Sequence, residues 1–173
     1  VAFLTMFALL SIAFKSYFLP LIILSALPFG FCGAVIGHVV FGKGLSMISY
    51  WGIGAACGVV INDNLVLVDY INRVRKSGKH LLEAVIEAGV VRFRPIVITS
   101  ITTFVGLMPI MLEPSVQANF LKPAVISLTC GVVLCAPVTL ILVPCLMVIG
   151  ADIKEVLIRI PQAIKKQFSP NAT

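Results

Sequence analysis

Residues 46–71 read SMISYWGIGAACGVVINDNLVLVDYI, and this stretch decides the fold class. No charge interrupts it before Asp63. As a helix it exceeds the ~20 residues that cross about 30 Å of hydrocarbon. Its centre carries three polar side chains in a row, Asn62, Asp63 and Asn64. An acid at mid-bilayer depth costs roughly 2.5–3.5 kcal/mol or more unless it is paired, hydrated or protonated, so Asp63 is a functional candidate. Val59, Ala56 and Gly52 precede it by four, seven and eleven residues. That spacing places Asp63 on a stripe of small residues and predicts that it faces the bundle interior. The competing reading of Asn62, Asp63 and Asn64 is interhelical hydrogen bonding alone. Asp69 is a weaker candidate, because it lies beside Asn72 and Arg73 where water reaches it.

Composition extends this reading to the whole chain. Of 173 residues, 60% are hydrophobic and 12% charged, against about a quarter charged in soluble domains. The expected fold is an all-α membrane protein: about four complete transmembrane helices plus one truncated N-terminal helix. The complete spans fall at 17–41, 46–71, 95–112 and 123–149. Residues 1–14 would make a helix only ~21 Å long, with no basic residue ahead of the apolar run as a signal peptide requires. They are expected to be the end of a helix begun upstream, so that the chain is a piece of a longer protein. Residues 1–149 thus form one transmembrane domain, and 150–173 a cytoplasmic amphipathic or disordered tail.

The 13 basic residues fix the direction of the spans. All but Lys43 and Lys122 fall on the side shared by Lys15, the loop 72–94 and the C-terminus, which the positive-inside rule makes cytoplasmic. The net charge of +6 therefore reflects membrane topology, and no nucleic-acid partner is expected. Within that loop, 80–91 has the pattern of a short amphipathic helix lying along the interface. The five cysteines sit in apolar runs without C-x-x-C spacing, which predicts small buried helix residues and no metal or cofactor. His38 and His80 lie in different regions, so no Ser/His/Asp hydrolase constellation is expected.

After Arg92-Phe93-Arg94-Pro95, the span at 95–112 continues with Thr99, Thr102 and Thr103. Pro95 suits the first turn of a helix, where its missing N–H is not needed. The threonine hydroxyls can relay a proton or bond back to the preceding turn.

In order and spacing, the run 58–72, Gly78, Glu83-Ala84-Val85 with Glu87-Ala88, and Arg92-Phe93-Arg94-Pro95 through Gly106-Leu107-Met108-Pro109 resemble the resistance-nodulation-division (RND) efflux permeases. The resemblance covers residues 1 to about 149 and corresponds to the last five transmembrane helices, the eighth cut short. It implies the membrane-embedded part of a proton-motive-force-driven pump in the bacterial inner membrane, exporting drugs or other solutes. The implied partners are the lipid bilayer, the N-terminal half of the permease, two further copies in a homotrimer, a periplasmic adaptor and an outer-membrane channel.

In the drug pumps of that family a lysine of the tenth helix pairs with aspartates of the fourth, and the resemblance places Asn62 at the lysine position. It places Arg92 at the functional arginine of the cytoplasmic entrance, and Thr99 at the relay threonine. Asp63, Asn62, Thr99 and Arg92 are thus the proton-relay candidates, with Asn64, Asp69, Thr102 and Thr103 behind them. The alternative function is a non-transporting membrane remnant or scaffold.

Overall fold

The computed structural model describes the backbone of residues 2–167 and the side chains of residues 3–153. Among the described residues six helices follow one another: α1 (Ala2–Phe14), α2 (Phe18–Leu24), α3 (Leu27–Val40), α4 (Met47–Lys76), α5 (Leu81–Leu112) and α6 (Val116–Gln167). There are no strands among the described residues. Four helical stretches are long and apolar enough to cross a membrane, with α2 and α3 counting as one, and α1 is the shorter apolar helix. The chain is an all-α membrane protein.

Local chemistry sets the helix ends. Ser46 caps α4 through a reciprocal box, its Oγ accepting from the Ser49 N–H while Ser49 Oγ accepts from the Ser46 N–H. The last turn of α4 carries Arg73, Arg75 and Lys76, whose charges suit the negative end of the helix dipole. Gly78 then takes φ +94, a conformation that any side chain would strain.

Three of the expected spans differ from the helices observed. Residues 17–41 hold two helices, broken at Ser25 and Ala26. Pro28 has no N–H to give the Leu24 carbonyl, so the ladder is interrupted there. The Ser25 hydroxyl donates to the Ile22 carbonyl at 2.6 Å, capping one of the groups near the break.

Pro95 does not open a helix but lies inside α5. Residues 80–91, expected to form a separate helix along the interface, instead supply the first turns of α5. The proline removes one backbone hydrogen bond, that to Val91, and Val91 is an exposed residue. The helix therefore runs through.

α6 begins ahead of 123 and continues through Gln167, so part of the expected tail is helical. Residues 168–173, like the side chains beyond Ile153, lie outside the described residues.

The core joins α2, α4, α5 and α6 near the end of α4 that carries its basic residues, around Ile23, Leu67, Val68, Ile71, Ala88 and Val143. Farther along, backbones approach through small residues. A Cβ added to Gly52 would lie 2.1 Å from the Ala124 oxygen of α6, and one on Gly37 would lie 2.5 Å from the Cys130 side chain. Such close approach is how helices associate where lipid removes the hydrophobic drive. Of the five cysteines, only Cys135 is buried, while Cys32 and Cys145 are exposed. The expectation of burial fails for those two because a thiol behaves as a small hydrophobe and is comfortable against lipid.

Candidate functional site

The buried face of α4 follows Gly52, Ala56, Val60, Asn64, Leu67 and Ile71, steps of four and three residues that keep one side of the helix against its neighbours. The innermost member of the polar triplet is therefore Asn64, which is wholly buried. Asp63 is half-buried and Asn62 exposed. The sequence stripe through Val59 had placed Asp63 inward. It departs from the observed interface by one position, about 100° of rotation, because the packing follows Val60.

Asn64 faces the break between α2 and α3. Its Nδ2 donates to the Ile23 carbonyl at 3.5 Å, and its Oδ1 is buried without a hydrogen-bond partner among the described residues. From α6, the Cys135 thiol donates to the Ala26 carbonyl at 3.5 Å, and Ala26, Val60 and Cys135 pack as one cluster. Side chains from two other helices thus take up carbonyls at the interruption. α6 adds two more buried hydroxyls, Ser127 and Thr129, whose oxygens lack partners among the described residues. Asp63, beside this region, makes no hydrogen bond or ion pair among the described residues.

A second polar group lies at the end of α4 that carries its basic residues. The Arg92 guanidinium of α5 stands 5.2 Å from the centre of the Tyr70 ring of α4, a cation–π distance. Its Nε is buried without a hydrogen-bond partner among the described residues. The Tyr70 hydroxyl donates to Glu87 Oε1 at 3.4 Å, and Lys79 Nζ donates to Glu87 Oε2 at 2.6 Å. Lys79 has its pKa raised, first by that hydrogen bond and then by the charge of Glu87. Asp69 pairs with Arg73 one turn along α4.

The threonines of α5 turn back on their own helix: Thr99 donates to the Pro95 carbonyl at 2.9 Å, Thr102 to that of Ile98 at 2.8 Å and Thr103 to that of Thr99 at 2.8 Å. No hydrogen bond joins them to α4 among the described residues.

At the opposite end a pair emerges that spacing did not reveal. His38, buried, has Nδ1 3.0 Å from the Ala34 carbonyl and Nε2 2.8 Å from Ser49 Oγ. A carbonyl only accepts, so Nδ1 carries a proton and Nε2 meets the hydroxyl. This His38–Ser49 pair was not among the expected site residues. No carboxylate joins the pair among the described residues, and Ser49 is wholly buried, so the arrangement locks the α3–α4 connection. The available signal was Ser46-x-x-Ser49, a capping box whose Ser49 lies eleven residues after His38.

Residues 1–150 match the sequence profile of the AcrB/AcrD/AcrF family. The chain is similar to the multidrug resistance protein MdtC of Proteus mirabilis, with 32% identity over 144 residues that make up 83% of this chain and 14% of the relative. It is also similar to the MdtC protein of Erwinia amylovora, with 31% identity over 141 residues, 81% of this chain and 14% of that protein. The chain thus spans about one seventh of the length of these relatives.

Proposed function

The chain belongs to the AcrB/AcrD/AcrF family of RND permeases, and from that premise we propose that it contributes the proton relay of a proton-driven exporter of drugs or other solutes. The protein is a transporter component rather than a classical enzyme. In this reading it lies in the bacterial inner membrane with its C-terminus in the cytoplasm. It works with the N-terminal half of the permease in a homotrimer, together with a periplasmic adaptor and an outer-membrane channel. The name of the MdtC relatives, multidrug resistance protein, supports drugs as the exported class.

One observation carries the assignment: Asp63, a carboxyl with no hydrogen bond or ion pair among the described residues, stands at the middle of a membrane-spanning helix next to a broken one. Without an ion pair to break, it can take up and release a proton as the bundle changes shape. Asn62 supplies no cation to hold it ionised, which sets the charge balance apart from that of the family's drug pumps. Arg92 joins α5 to α4 through Tyr70, so a movement of one helix is felt by the other. Thr99 is the relay hydroxyl in this reading, and Thr102, Thr103, Asn64 and Asp69 are secondary candidates for the relay.

Asp63→Asn in the full-length protein tests this. Membrane insertion should be unchanged, while proton-coupled export in vesicles falls on the order of a hundredfold, the low end of what a positioned proton carrier contributes. Undiminished export would return Asp63 to a structural role. A wild-type protein that inserts but moves neither solute nor protons would establish the scaffold alternative.

A further inference from the structure

Two grooves open beside the α1–α2 turn and share Ser16 and Tyr17 as a common wall. One, of about 580 Å³, runs between α2, the end of α4 and α6; the other, of about 540 Å³, follows α1. Each lies within the ~300–1,000 Å³ range of ligand pockets.

Both are graded in polarity along the helices. In the first, Arg75 and Asn72 belong to the last turns of α4, whereas Ile22 and Met147 lie deeper along α2 and α6. In the second, Lys15 closes the end of α1 and Phe7 lies two turns farther in. Neither the Lys15 ammonium nor the Arg75 guanidinium makes a hydrogen bond or ion pair among the described residues. Asp152, the acid beside the lining residues of α6, is exposed and does not line the groove.

We propose that the paired grooves bind one diacyl anionic glycerophospholipid of the surrounding bilayer, its phosphate held by Lys15 and Arg75 and its two acyl chains in the two grooves. Two cations with no side-chain partner among the described residues, set beside apolar walls, select a negative head on an apolar body, and basic pockets between spans are where such heads dock. A cationic amphiphile would be repelled, and a free phosphate would leave both apolar walls unfilled.

The test is native mass spectrometry of the full-length protein in mild detergent, titrated with phosphatidylglycerol and phosphatidylcholine of identical acyl chains. Phosphatidylglycerol should be retained preferentially. Lys15→Gln and Arg75→Gln should each weaken its retention roughly fivefold. Leu19→Trp, which fills the larger groove but keeps both cations, should weaken it as well. Excess inorganic phosphate should not displace the lipid. Equal retention of the two lipids by the wild type, a comparison that needs no variant to fold, would overturn the proposal. So would unchanged retention in the double Gln variant, or displacement by phosphate alone.

Discussion

At Asn64 the bundle encloses an amide with one of its four hydrogen-bonding positions used among the described residues: Nδ2 reaches the Ile23 carbonyl at 3.5 Å and Oδ1 reaches no partner there. A buried unsatisfied acceptor costs about 1–3 kcal/mol. Asn64→Leu, which keeps the bulk and removes the orphan, should leave the melting temperature of the purified protein unchanged or raise it. Asn64→Asp should lower stability by about 3 kcal/mol, since it puts a carboxylate in a dry site. A large loss with leucine would instead mean that the bond across the helix break is worth more than its length suggests.

Lys79 behaves differently, as an exposed partner of Glu87. Its pKa is raised on folding from the ordinary 10.5, so what it contributes is fully present below that value and is lost as pH rises through the higher folded-state value. Pairs of this kind are weak and screened by salt. Lys79→Gln should therefore change thermal stability little at neutral pH, and the small difference should vanish in high salt.

Among the helices, glycine positions on α4 separate cleanly by what faces them. A Cβ on Gly52 would strike the Ala124 backbone of α6, whereas at Gly54 and Gly58 nothing lies within 4 Å. Gly52→Ala should weaken the α4–α6 contact by about 1–3 kcal/mol, as overpacking does. Gly54→Ala and Gly58→Ala should be neutral or slightly stabilising, because alanine favours the helix. Unfolding measurements on the three variants in detergent would show one destabilised protein and two near wild type. Equal effects at all three would mean that α4 and α6 do not approach at Gly52.

For the molecule as a whole, the distribution of charge sets orientation. In the topology expected from the spans, eleven of the 13 basic residues share one side, with Lys43 and Lys122 on the other. At roughly 1 kcal/mol per basic residue near an anionic leaflet, this bias outweighs errors in single span boundaries. Ser77→Cys and Ser115→Cys, each in a background lacking the five native cysteines, should therefore react differently with a membrane-impermeant thiol reagent in intact cells. Position 115 should label and position 77 should not. The reverse would place Arg92 at the periplasmic end and overturn its assignment to the cytoplasmic entrance of the proton path.

The sequence by itself determined that this is a helical membrane protein, roughly where its spans fall and which residue types stand out of place in them. Apolar length and charge asymmetry are sums over many residues, and no single contact can reverse them. It did not determine which of Asn62, Asp63 and Asn64 faces inward, because neighbours on a helix differ by only about 100° and the choice depends on the partner that packs there. Nor did it reveal the pairing of His38 with Ser49 or of Arg92 with Tyr70, which are set by contacts between helices. The continuity of α5 through Pro95 and the break at Ser25 likewise belong to the tertiary structure. A proline removes one backbone bond in either place, and the surrounding helices decide whether the chain bends there or runs on.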